Sequence, residues 1–138
     1  MTAADLAVAA RSEADRRARK YPALVASEKL SADEATIDYQ AWHAIAAWLE
    51  TGQFRTTDQG GANCATIVGW PEAEAAADRA LADVTRKALT ATDDAKRDRL
   101  NSRGAALRVI AGKVRLHRQL VESINAEFAA RRESKAAA

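Results

Sequence analysis

Nucleophilic or metal chemistry in this chain would have to be built from one thiol, Cys64, and two imidazoles, His43 and His117. A cysteine nucleophile needs a neighbouring base or cation to hold it as thiolate. The two histidines fall on different predicted helices, and neither belongs to a His-x-x-x-His or Cys-x-x-Cys spacing. Asp93 and Asp94 are adjacent carboxylates, but they open a predicted helix, where negative charge complements the positive pole of the dipole. The residues therefore predict no catalytic group, no metal site and no cofactor, and the chain reads as a non-enzyme. A single cysteine cannot close an internal disulfide, which fits a reducing, cytoplasmic setting.

Binding chemistry is better represented. Before Gly69 there are 7 basic and 9 acidic residues; after it there are 14 and 10. From Lys96 to Arg118 eight basic residues accompany one acid, Asp98. Arg97, Arg108, Arg115 and Arg118 fall near one side of a helix, with Gly104, Ala111 and Gly112 between them. Such a stripe suits phosphates rather than base edges, so nucleic acid is the alternative partner. The competing expectation is a solvated face, or pairs with Asp78, Asp83 and Glu72. Lys96, Arg99 and Arg103 instead continue the apolar seam of the same helix. Three cations cannot extend a core unpaired. They must project past it, pair with acids, or meet an anion.

Aromatic residues make up only 5% of the chain, yet there are three tryptophans. Trp48 and Trp70 flank an irregular stretch that also holds Phe54. Buried aromatics commonly anchor protein partners, which makes these three the candidate partner-binding residues.

The elements that must position these groups read as helices. The 48% hydrophobic content is inflated by alanine, the best helix former but a side chain that buries little area. A first helix is predicted over residues 3–20, with a break or kink at Pro22 because Tyr21 is restricted away from helical geometry, and a further turn or two over Ala23 to Lys29 beginning at that proline. Ser31-Ala32-Asp33-Glu34 is a capping box opening a second helix, which should run to Thr51 and stop at Gly52. Its apolar face carries Ile37, Ala41, Trp42, Ala44, Ile45, Trp48 and Leu49, with His43 on the polar side. Residues 52–70 form a Gly-rich loop, within which Ala65 to Val68 is a possible short strand. Pro71 suits the first position of a third helix, which should reach about Leu89.

Thr92 is the expected N-cap of a long last helix ending near Arg132, followed by a frayed tail from Ser134 to Ala138. On that helix Leu107, Ile110, Val114, His117, Val121, Ile124 and Phe128 alternate in steps of three and four, the spacing of a coiled-coil seam. Val109, Leu116 and Leu120 make a second apolar stripe, expected to pack on another neighbour. The expected architecture is an all-α bundle of about four helices in a single domain, 1–138. Residues 1–51 form one helical hairpin, 52–70 the loop and 71–133 a second hairpin. The seam predicts a homodimer. No run is apolar and long enough for a membrane span, and the net charge of +2 is too small to imply a membrane or nucleic-acid partner by itself.

The segment Arg16-Arg17-x-x-x-Tyr21-Pro22-x-x-Val25, with a helix opening at Ser31-x-x-Glu34-Ala35, resembles a family of small prophage helical-hairpin proteins over about residues 8–50. Trp42, Trp48 and the long C-terminal extension depart from its pattern. The resemblance implies a phage or prophage setting and a protein-binding module that inhibits or regulates a host protein. It supplies no catalytic residues.

Overall fold

The computed structural model describes residues 1–55 and 68–137, and these form four helices. They are α1 (Ala3–Ala26), α2 (Ala32–Thr51), α3 (Trp70–Thr90) and α4 (Asp94–Ala137). Cys64, Gly60, Gly61 and the expected strand from Ala65 lie outside the described residues, apart from Val68, which is buried. The two main packings are the hairpins α1–α2 and α3–α4; lighter contacts of α2 with α3 and α1 with α4 close the ring. The all-α bundle with a long last helix is as expected.

Local signals explain most of the boundaries. Thr2 and Asp5 form a reciprocal capping box on α1, and Ser31 and Glu34 form another on α2. Gly52 ends α2 in the left-handed conformation (φ 79°), where its N–H donates to the Trp48 carbonyl. On α3 the Glu72 carboxylate accepts from the Gly69 N–H at 3.0 Å, with Pro71 in the first turn.

Three boundaries differ from the expectation. The turn expected after Pro22 is present, but it joins the first helix without a break and ends at Ala26. The Pro22 ring removes one N–H donor, but only a single turn follows, so little of the helical ladder is lost. The last helix starts at Asp94, and the oxygen that caps it belongs to Asp93 rather than Thr92, accepting from the Ala95 N–H at 2.8 Å. It also runs on through Ser134 to Ala137 instead of fraying after Arg132.

The C-terminus of α1 is closed by a Schellman arrangement. The Lys29 N–H donates to the Leu24 carbonyl and the Glu28 N–H to the Val25 carbonyl. That geometry places Glu28 at φ 59°, a left-handed position usually given to glycine.

Alanine dominates the interior. Ala10, Ala14, Ala41, Ala46, Ala73, Ala76, Ala77 and Ala80 are buried beside fewer large side chains, chiefly Leu6, Trp42, Ile45, Val84, Leu107, Ile110 and Val114. Helices therefore approach closely while each contact contributes little area. Within this thin core lies an ionic network that touches all four helices. Glu13 and Arg17 of α1 and Asp38 of α2 are 2%, 8% and 7% exposed. Arg17 donates to Glu13 at 2.7 Å and to Asp38 at 2.5 Å, and lies 4.9 Å over the Trp42 ring. Arg79 of α3 reaches Asp38 at 2.9 Å, and Arg103 of α4 reaches Glu13 at 2.6 Å.

Removing one member of a buried ion pair leaves its partner uncompensated. Asp38→Ala is expected to cost about 3–5 kcal/mol in a urea unfolding experiment. Glu28→Gly should instead raise stability by about 1 kcal/mol, because the left-handed position loses its side-chain penalty.

Candidate functional site

The candidate aromatic anchors assemble at one end of the bundle. Trp48, at the end of α2, meets Trp70, at the start of α3, edge to face with ring centroids 4.9 Å apart. Phe54 lies 4.3 Å from Trp70, and His117 of α4 lies 4.4 Å from Trp70 and 5.1 Å from Trp48. All four are half-buried and the cluster roofs the core. These aromatic faces are thus largely used inside the chain. His117 takes its place in the seam by packing at a tilt against the two tryptophans, and His43 stands apart, its Nδ1 3.0 Å from the Arg11 guanidinium. Burial first, and the Arg11 charge second, lower the His43 pKa, so it accepts from arginine as a neutral ring.

From this aromatic roof α4 leaves the bundle. Beyond Val121 every described residue of the helix except Ala129 is exposed. At 1.5 Å per residue the sixteen positions from Glu122 to Ala137 project roughly 24 Å. The seam residues Leu107, Ile110 and Val114 are buried, but its continuation, Ile124 and Phe128, is in solvent. The second stripe does not pack on another neighbour as expected: Leu116 is 68% and Leu120 54% exposed, and Val109 is exposed as well. Each helix of the four-membered ring packs mainly on its adjacent helices, and among the described residues no helix covers that side of α4.

The arginine stripe is largely occupied by acids. Arg115 bridges Glu74 and Asp78, Arg118 bridges Glu74 and Glu122, and Arg97 pairs with Asp94 and bonds the Ala91 carbonyl. Of the four, Arg108 alone has no carboxylate partner among the described residues, so most of the stripe is not a free phosphate track. Of the expected acidic partners Asp78 takes part, while Glu74, outside that expected set, holds both Arg115 and Arg118. Glu72 caps α3, and Asp83 pairs with Arg86 and Lys87 on its own helix. Among the described residues no group of three or more His, Cys, Asp or Glu side chains is placed to hold a metal, and no helix is long and apolar enough to cross a membrane.

The buried network was not read from the sequence, although its signal was present. Leu6, Ala10, Glu13 and Arg17 recur at helical spacing, as do Ala35, Asp38, Trp42 and Ile45, so charged residues interrupt apolar stripes. Burial alone raises the Glu13 carboxyl, but hydrogen bonds from Arg103 and Arg17 together outweigh it and hold the group below the ordinary carboxylate range. The Tyr21 hydroxyl donates to Asp38; burial, and then that bond, push its pKa up to about 12.

Both shifts fix a pH window. Glu13 contributes stability above its unfolded pKa, and this is lost as pH falls through the depressed folded value. Tyr21 contributes while it is protonated, fully below its unfolded value of 10.0 and progressively less as pH rises toward about 12. Urea midpoints measured across pH should be flat near neutrality and fall on both sides, and Tyr21→Phe should flatten the alkaline limb. Comparison of the chain with family profiles, with curated proteins and with solved structures gives no match.

Proposed function

We propose that this chain is a protein-binding module that grips its partner with the exposed C-terminal part of α4. The observation that carries the reading is a run of large apolar side chains in solvent, Leu116 and Leu120 on the uncovered side of α4 and then Ile124 and Phe128 where the helix has left its bundle. A free helix of that length is marginal in water, but this one is nucleated by the packed turns before it. It therefore stands ready to pair without first paying for helix formation.

The seam continues with Val121 and Phe128 at one core position of the heptad and Ile124 at the other. Glu127, which also pairs with Arg131 of its own helix at 2.6 Å, and Arg132 then flank it five residues apart, where a parallel second copy would place each against the other's opposite charge. A second copy is thus the first partner we assign to the arm. The resemblance of residues 8–50 to prophage hairpin proteins supports a host protein as the target of the assembled module, inhibited or regulated by it. The nucleic-acid alternative is less well supported, because Arg97, Arg115 and Arg118 already hold carboxylates.

Sedimentation equilibrium tests the pairing. The protein should dimerise in the micromolar range, and Ile124→Lys/Phe128→Lys should be monomeric with unchanged circular dichroism at the folded baseline. A wild-type protein that stays monomeric well above micromolar concentrations refutes the homotypic pairing.

A further inference from the structure

The opposite end of α4 presents a different chemistry. Lys96, Arg99 and Arg103 lie at helical spacing on one face of α4 and line a groove of about 670 Å³ against α1. Arg16 of α1 lines the same groove. Arg103 is matched by Glu13, but that carboxylate is shared with Arg17 as well. Lys96, Arg99 and Arg16 form no ion pair among the described residues, and the buried Arg16 Nε has no hydrogen-bond partner there. Four cations thus face one acid, giving the groove wall a net charge of three positive.

This arrangement is costly for the chain itself. Burial lowers the Arg16 pKa, and the nearby charge of Arg103 lowers it further. An unpaired guanidinium nitrogen away from water also forfeits a hydrogen bond. A bound anion would supply the missing partner and offset that cost. Ser12 and Ser102 add two hydroxyl donors to the same lining, while Leu100 and Leu107 give it an apolar floor. No aromatic residue lines it, so a stacked nucleobase has no platform.

We propose that the groove between α1 and the start of α4 binds a compact phosphoryl polyanion, held by Arg16, Lys96 and Arg99 with Ser12 and Ser102 as additional donors. Guanidinium groups match phosphoryl oxygens in pairs, and the lysine adds a point charge. The volume lies within the range of small-ligand sites. These residues are distinct from the Arg97, Arg108, Arg115 and Arg118 stripe, and the site does not depend on the α4 arm.

Calorimetric titration of the full chain with inorganic pyrophosphate at low salt tests the site. Binding is expected, and Lys96→Gln/Arg99→Gln should weaken it by roughly tenfold or more. Both side chains are exposed, so that variant should keep its fold. Arg16→Gln should also weaken binding, and it should leave thermal stability equal or higher, which a structural role for Arg16 would not do. Arg108→Gln/Lys113→Gln removes the same charge elsewhere on α4 and should leave binding nearly unchanged. An equal loss in that control means diffuse electrostatics and overturns the site. Absence of pyrophosphate binding, or retention of a single-stranded oligonucleotide alone with sensitivity to the groove variants, overturns it too.

Discussion

An interior made mostly of alanine can bring helices close, but it cannot by itself say which residue of one helix faces which residue of another. Methyl groups are nearly interchangeable along a helix, so sliding by a turn changes little. The buried salt-bridge network supplies the missing specification. Glu13 and Arg17 must meet Asp38, Arg79 and Arg103 at one register of four helices, and every other register strands a charge in the core. Its contribution to net stability need not be large for this purpose. The penalty for misalignment is what fixes the bundle.

With the register fixed, α4 becomes three zones on one continuous rod. Its first turns carry cations that only partly meet acids, and its middle is locked by Leu107, Ile110 and Val114. Its last third stands free with apolar side chains in solvent. The aromatic cluster of Trp48, Phe54, Trp70 and His117 marks where the packed zone ends. The two ends offer opposite chemistries, an anion groove and an apolar arm, separated by the length of the bundle. A rigid helix joining them holds both in a constant relation.

Local signals in the sequence were reliable where they act over one turn. The Ser31–Glu34 capping box, the Gly52 stop and Pro71 at the opening of α3 all work through neighbouring backbone groups, and each is in place. At Pro22 the helix stays continuous because the local preference competes with the packing of α1 along its whole length, and one more turn beyond it costs little. The stripe of Val109, Leu116 and Leu120 lacks its expected neighbour for a different reason. Periodicity tells which residues share a face, but not whether a neighbour exists to cover it. The charges that interrupt the stripes of α1 and α2 were legible in spacing alone, yet only their mutual distances reveal a network instead of an exposed face.

The all-α class, the four helices of the described residues, and a long last helix divided between basic and apolar parts were all legible in the sequence. Those properties follow from propensity, capping and periodicity, which are local. Only the tertiary structure decided which arginines are free and which are already held. It also decided where the tryptophans spend their faces and which apolar residues remain unpartnered. Whether a charge is paired or an apolar face covered depends on residues forty to ninety positions away, as with Glu74 and Arg118 or Glu13 and Arg103. No pattern along one helix contains that distance.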